Sequence, residues 1–242
     1  MYDEQTIPGG GSSTGVAFGP DGALYVTDWM NGPSDRGRIW KIDSSEGKDN
    51  PARKRTRKLL AEGMSGKDET YLVACLAEPD FRVRKAAQFE LVRRGKTWAL
   101  LAVAKQTENQ LARLHAIWGI GQLARGWPDG KNKDTGAVAP LLELLKDKDM
   151  EVRAQAAKVL GEAAYSPSLE PLITLLNDSS LRVRFNVAVA LGKLKSAKAI
   201  QPLLELVREN DDEDAFLRHG AVMGLVGSTK ANPKVLLETT SS

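Results

Sequence analysis

Apolar side chains along residues 69–242 recur three or four positions apart, which is the spacing of helices with one buried face. Within this region a sequence motif recurs, Val-Arg-x-x-(Ala/Val)-x-x-x-Leu, most clearly at residues 152–160 and 183–191. The arginines of its five copies are Arg84, Arg113, Arg153, Arg184 and Arg218. They lie 29, 40, 31 and 34 residues apart. A recurrence at about 30 residues predicts a solenoid of stacked helical repeats.

A second apolar segment precedes each copy of the motif. These segments are residues 71–76, 98–104, 140–145, 171–176 and 202–207. The last three begin with proline, which suits the first turn of a helix because the amide hydrogen that it lacks would have no partner there. Short polar turns, such as residues 146–149, separate the two segments. Each repeat is therefore predicted to be a helix, a tight turn and a second helix.

The first 45 residues follow a different pattern. Residues 15–18, 23–28 and 37–43 are short, apolar and β-branched or alternating, with Gly-Pro-Asp-Gly at 19–22 as a turn. This predicts three strands between about residues 14 and 43. So small a sheet is only marginally stable alone, so it packs on another element or belongs to a larger β structure.

A polar connector with a cluster of basic residues at 53–58 follows the predicted strands. The composition changes on either side of it, from alternating positions before to helical spacing after. We therefore predict a β segment at residues 1–45, a basic linker at 46–68 and a solenoid at 69–242.

The repeat resembles that of the HEAT family. It has a leucine-rich first segment, a turn with aspartate and a motif that ends in Leu-Gly, as at residues 152–161 and 183–192. This resemblance implies a mainly α fold, a HEAT-type α-solenoid of about five helix pairs, preceded by a small three-stranded β segment. It also implies that repeat arginines and turn aspartates pack one repeat against the next. The residues that match are Arg84, Arg153, Arg184, Asp80, Asp149 and Asp178.

The β segment carries its own resemblance. Residues 15–29 and 37–42 resemble a blade of a sugar-dehydrogenase-type β-propeller, and a blade followed by HEAT repeats is similar to the large dehydrogenase-like proteins of planctomycetes. That resemblance implies an exported or periplasmic PQQ- or sugar-dehydrogenase-type oxidoreductase. A propeller needs at least four blades and this sequence has one, so the catalytic propeller is not in this chain. A resemblance to phycobilin lyases, which are short HEAT proteins, is a further alternative that the fused blade argues against.

The composition limits the available chemistry. The formal net charge of +3 does not by itself indicate nucleic acid, so no nucleic-acid partner is expected. One cysteine, Cys75, excludes an internal disulfide, and two histidines, His115 and His219, exclude a three-histidine metal centre. The longest apolar run, residues 97–104, is too short to span a membrane. The N-terminus lacks the pattern of a secretion signal, so a free-standing chain would be cytoplasmic.

Two short motifs suggest ligand chemistry, and the surroundings of each argue against it. Residues 119–124 match Gly-x-Gly-x-x-Ala but lie inside a predicted helix, whereas a dinucleotide site needs a strand before the glycines. The loop with Asp129, Asn132 and Asp134 has Pro140 where a calcium loop has glutamate. Trp127 at the start of this loop is expected to cover the neighbouring repeat. We expect no cofactor, metal or catalytic residue in this chain.

The second segments of the repeats carry a further pattern. Positions five residues after the repeat arginine fall outside the predicted core face, and all but Lys158 are large and apolar. Two more apolar residues lie four positions before members of this set. The candidate partner-binding residues are Phe89, Leu114, Trp118, Phe185, Val189 and Met223.

In HEAT arrays the second helices line the concave surface, so an exposed apolar stripe there is typical of a groove for a protein partner. The alternative is that the β segment or an end-to-end dimer covers the stripe. The sequence thus predicts a scaffold for protein–protein interaction, as a fragment or accessory region of a dehydrogenase-like protein, rather than an enzyme in itself.

Overall fold

The computed structural model describes residues 12–29, 37–47, 49–106, 108–131 and 133–230. The chain divides into two compact units, Met1–Gly66 and Lys67–Ser242. The first unit contains strands β1 (Ser12–Phe18), β2 (Leu24–Trp29) and β3 (Arg38–Ile42) and helix α1 (Pro51–Glu62). The predicted three-stranded β segment is therefore confirmed, with strand ends that differ by a few residues.

The strands form an antiparallel sheet in the order β1-β2-β3. Phe18 lies opposite Leu24, and Leu24 lies opposite Ile42, so these side chains share one face of the sheet. Val16 lies on the same face, two positions before Phe18. The side chains of Val16, Phe18 and Ile42 are 67%, 68% and 38% exposed. The outer strands thus expose apolar side chains on this face, whereas Val26 on the central strand is buried.

The segment predicted to be a basic linker contains helix α1. Its start combines Pro51 with Asn50, whose side chain accepts a hydrogen bond from a backbone N–H two residues on, at 2.8 Å. Arg53 donates to the backbone carbonyl of Asp21 at 2.7 and 3.0 Å and to the carboxylate of Asp43 at 2.8 Å. This arginine therefore joins the helix to the turn after β1 and to the end of β3 within the first unit.

The second unit is built from paired helices. The first members of the pairs are α2 (Glu69–Cys75), α4 (Thr97–Lys105), a 3-10 segment (Thr135–Lys146), α7 (Leu169–Leu175) and α9 (Ile200–Asn210). The second members are α3 (Phe81–Arg93), α5 (Gln110–Ala124), α6 (Met150–Glu162), α8 (Leu181–Leu194) and α10 (Ala215–Thr229). These five pairs among the described residues confirm the predicted mainly α solenoid. None of the described helices is long and apolar enough to cross a membrane.

The three prolines of the first segments do not behave alike. Pro171 and Pro202 lie in the first turns of α7 and α9, as predicted. Pro140 lies inside the 3-10 segment, which begins at Thr135. A proline removes a backbone donor and crowds the preceding turn, so it does not suit the interior of an α-helix. The first helix of the third repeat is a 3-10 segment instead of an α-helix.

Successive second helices approach each other closely at the Leu-Gly pair that ends the repeat motif. Leu160 and Leu191 are fully buried. A Cβ added at Gly161 would lie 2.5 Å from the Cα atom of Ala190, and one at Gly192 would lie 2.9 Å from the Cα atom of Gly224. Both neighbours are backbone atoms of the next second helix and cannot rotate away. Glycine at these positions therefore sets how closely the repeats stack.

Three of the five repeat arginines bind a carboxylate of the next repeat, namely Arg113, Arg153 and Arg184. Arg113 binds the carboxylate of Asp147 in the turn of the third repeat, and Arg153 donates to Asp178 in the turn of the fourth repeat at 2.7 and 2.9 Å. Arg153 also donates to the carbonyl of Asp147 in its own turn at 2.8 Å. Burial alone would raise the pKa of Asp178, but hydrogen bonds from Arg153 and a backbone N–H lower it. The expected packing role of Arg153 and Asp178 is therefore confirmed.

Of the other turn aspartates, Asp80 needs a correction, whereas Asp149 does contact the preceding repeat, through Gln110 rather than through an arginine. Asp80 is the N-cap of α3 and also binds Arg82 two residues on, so it links no repeats. Asp149 is the N-cap of α6, and its carboxylate also accepts a hydrogen bond from Gln110 of the preceding repeat at 2.7 Å. The residue that pairs with the arginine of the preceding repeat is Asp147. Sequence reasoning did not separate these roles, because both kinds of aspartate occur in the same short turns.

Replacement of Arg153 with methionine is expected to lower the free energy of unfolding by about 3–5 kcal/mol, because Asp178 would be left buried without an opposite charge. The side chains of Arg153 and Asp178 are only 14% and 7% exposed. The equivalent change at Arg184 should cost no more than about 1 kcal/mol, since its partner Glu209 is 59% exposed. Chemical denaturation of both variants measures the difference.

A second substitution separates this ion pair from general packing. Adding Asp178→Asn to the Arg153→Met variant removes the unpaired charge, so part of the lost stability should return. Equal destabilisation by Arg153→Met and Arg184→Met would contradict the unequal contribution of these two pairs.

Candidate partner-binding face

The five second helices lie side by side in chain order, with α3 against α5, α5 against α6, α6 against α8 and α8 against α10. We call the solvent-facing surface of these helices the second-helix face. All six candidate residues belong to these helices. The structure divides the six candidates between a covered part on α3 and α5 and an open part on α8 and α10.

The covered part includes Phe89 and Leu114. The ring centroid of Phe89 lies 4.9 Å from that of Trp127, so the loop after α5 covers the neighbouring repeat as expected. Leu114 is only 6% exposed and presents no accessible surface to a partner. Its position directly after the repeat arginine explains this, because the equivalent Phe185 lies against Gly220 of the next second helix. Positions one residue after the arginine face the next helix as well as solvent.

Trp118 belongs to a hydrogen-bond network of polar side chains that spans three helices. Its Nε1 donates to Oε1 of Gln155 at 2.8 Å, and Nε2 of Gln155 donates to Oε1 of Glu151 at 2.9 Å. Arg182 of α8 completes the network by donating to both carboxylate oxygens of Glu151. The expected apolar stripe is therefore interrupted by hydrogen-bonded polar groups between α5 and α8.

His115 lies beside this hydrogen-bond network and is 2% exposed. Its ring packs between Phe81 and Trp118, with centroid distances of 6.0 and 5.0 Å. Nδ1 lies 2.6 Å from Oε1 of Gln88, whose Nε2 donates to Gln122, so Nδ1 carries the proton. Burial, and secondly the charge of Arg84, lower the pKa of His115 to about 4. The imidazole is thus neutral in the folded protein at pH 7.

The open part lies on α8 and α10. Val189 lines a depression of about 270 Å³ between α6 and α8, and Phe185 lines both this and a second depression of about 350 Å³ between α8 and α10. Met223 and Phe216 on α10 are 48% and 79% exposed. Phe185, Val189 and Met223 are therefore the candidates that the structure leaves beside accessible space.

Sequence reasoning missed part of this surface. Arg182 and Phe216 both line the depressions and both lie two positions before a repeat arginine. Their shared position in the repeat is a signal that the sequence contains. Lys158, the polar member of the predicted stripe, also lines the depression between α6 and α8.

Metal chemistry has no support in the described residues, where no group of three or more His, Cys, Asp or Glu side chains could hold an ion. Asn132 of the loop considered for calcium lies outside the described residues. Cys75 is buried in α2 and, as the one cysteine of the sequence, forms no internal disulfide. That this chain needs no cofactor stays a prediction.

Paired helices, inter-repeat arginines and a contiguous layer of second helices define an α-solenoid repeat protein. The chain belongs to the HEAT-repeat family: the family model for HEAT repeats matches residues 97–167 and 138–226, which together exceed half of its length. A comparison with curated proteins found no match.

Two solved structures are similar to this chain. One is the complex of CpcE and CpcF of phycocyanin lyase from Nostoc sp. PCC7120, with 20% identity and a TM-score of 0.52 over 72% of this chain and 70% of that chain. The other is a designed armadillo repeat protein in complex with the peptide (KR)4, with 19% identity and a TM-score of 0.49 over 74% of this chain and 95% of that chain. At these identities the similarity concerns the fold alone.

Acid is expected to destabilise the chain through His115. Because its folded pKa of about 4 lies below the unfolded value near 6.5, the unfolded state binds the proton first as the pH falls. The contribution of His115 to stability should fall from about pH 6.5 and level off below about pH 4, with a slope of at most about 1.4 kcal/mol per pH unit. Denaturation at pH 7 and pH 5 measures this loss.

The matched variants are His115→Gln, which should remove this component of the pH dependence, and His219→Gln at an exposed position, which should retain it. If all three proteins lose the same stability between pH 7 and pH 5, His115 is not the titrating group.

Proposed function

We propose that this chain is a scaffold that binds a protein partner on the second-helix face, which is the concave side in the HEAT family. The observation that carries the proposal is the open apolar surface on α8 and α10. There Phe185 borders two depressions, and Phe216 and Met223 are largely exposed. Clustered apolar side chains that border a depression are typical of protein-binding surfaces.

Two further observations support a binding role over an enzymatic one. His115, the buried histidine, is used for packing against Gln88 and Trp118. The similar Nostoc structure is itself a complex of two proteins, CpcE and CpcF, which agrees with a protein partner. A phycobilin-lyase-like role is the weaker alternative, because that similarity is confined to the fold.

Site-specific photo-crosslinking tests the proposal. A photoreactive phenylalanine analogue replaces Met223 or Val189 on the second-helix face, and in the control it replaces Thr174, which is exposed on the first helix α7. We expect adducts with a partner protein, identified by mass spectrometry, at Met223 and Val189 and not at Thr174. Adducts confined to Thr174 would contradict the proposal, and adducts with a second copy of this chain would assign the face to a dimer.

A second candidate function follows from the β unit. The exposed apolar sheet face with Val16, Phe18 and Ile42 is what a propeller blade presents to its neighbours. On this proposal the chain is an accessory region of an exported PQQ- or sugar-dehydrogenase-type oxidoreductase, with the catalytic propeller encoded outside this sequence. The HEAT repeats would then position that enzyme or its partner.

The size of the natural gene product tests this second candidate. Antibodies raised against the solenoid unit should detect, in the source cells, a product well above the 26.3 kDa of this chain. Its amino-terminal peptides should contain further blade-like sequences. A product of 26.3 kDa would leave the scaffold function intact and contradict the dehydrogenase context.

A further inference from the structure

Helix α8 separates the two depressions of the second-helix face, and its Arg182 and Phe185 line both of them. The depression between α8 and α10 is mainly apolar and measures about 350 Å³. Its lining comprises Leu181, Arg182, Phe185, Asp214, Phe216 and Leu217. The carboxylate of Asp214 is already used, because it accepts the backbone N–H of Leu217 at 2.7 Å as the N-cap of α10. This depression suits one bulky apolar side chain.

The depression between α6 and α8 has a different chemistry. The described residues that line it include three cations, Lys158, Arg182 and Lys193, and no carboxylate. Its amides are Gln155 and Asn186. Gln155 and the Nδ2 of Asn186 already have hydrogen-bond partners, so a ligand group that enters here chiefly meets positive charge. This depression therefore suits a carboxylate.

The three cations differ in how far they are already neutralised. Lys193 is 3.5 Å from Glu162, and Arg182 is paired with Glu151 through its Nε and one terminal nitrogen. Lys158 is exposed and forms no ion pair with a described residue. It is thus the cation that gains most from an acidic partner.

We propose that the two depressions together bind one acidic peptide segment with a bulky apolar residue. The apolar side chain lies between Phe185 and Phe216, and a neighbouring carboxylate pairs with Lys158. The juxtaposition of an apolar and a cationic depression across a single helix carries this assignment, because one short segment reaches both. The inference rests on the proposed scaffold function and specifies the chemistry of its partner.

Fluorescence anisotropy with labelled peptides tests this chemistry on the whole chain. The probe is Gly-Glu-Asp-Phe-Asp-Glu-Gly. One control peptide replaces phenylalanine with alanine, and the other replaces the acids with their amides. We expect saturable binding of the probe that weakens as salt increases, and about ten-fold weaker binding of either control. Equal binding of acidic and amide peptides, or no saturable binding at all, would overturn the proposal.

Matched variants locate the binding. Lys158→Glu should raise the Kd of the acidic peptide about ten-fold or more and leave that of the amide peptide unchanged, whereas Lys133→Glu in the exposed loop should change neither. Phe216→Ser should weaken both phenylalanine peptides. These side chains are exposed, so thermal melts should match that of the unaltered chain. Unchanged binding in Lys158→Glu and Phe216→Ser would place the peptide elsewhere and overturn the assignment.

Two outcomes separate this inference from the scaffold proposal. If the peptides fail and crosslinking at Met223 still captures a partner, the scaffold function stands and the acidic peptide is wrong. A single-stranded oligonucleotide that competes with the probe and binds more tightly would indicate that the cations serve nucleic acid, and would also overturn the inference.

Discussion

The hydrogen bonds of the repeat arginines are the interactions on which the solenoid depends. A guanidinium group that leaves water must find partners for its donors, or the buried charge costs several kcal/mol. Arg113 and Arg153 meet this requirement with an aspartate in the turn of the next repeat. Each turn is therefore held at a defined place beside the preceding second helix. Gly161, on the second helix that carries Arg153, lies against Ala190 of the next second helix.

The hydrogen bonds of the repeat arginines are not the same in every repeat. Arg84 is 7% exposed and donates only to the carbonyls of Glu78 and Pro79 in its own turn, and its Nε has no partner among the described residues. Its side chain lies near His115, and its charge is one reason why that histidine stays neutral. The first interface is consequently held by amides and rings, whereas the middle interfaces are held by ion pairs.

This variation shapes the second-helix face. Where α3, α5 and α6 meet, Trp127 covers Phe89, and Trp118 is hydrogen-bonded to Gln155. Toward α10 no comparable cover exists in the described residues, and Phe185 borders open depressions on both sides of α8. The proposed binding function therefore resides in the last three repeats, between α6 and α10. The exposed sheet of the first unit supplies a separate apolar surface, which the propeller proposal addresses.

Local patterns in the sequence determined the repeat architecture. The motif around each arginine requires a helix with one buried face, and its recurrence about every 30 residues requires stacked repeats. The helix pairs and the identity of the second helices therefore follow from the sequence. The site was predictable only in part: Phe185, Val189 and Met223 lie beside accessible space, while Leu114 is buried. Exposure depends on what the neighbouring helices and loops bring to each position. Only the tertiary structure decided that Asp147 rather than Asp149 pairs with the preceding arginine, and that Arg182 and Phe216 join Phe185, because these contacts join residues far apart in the chain.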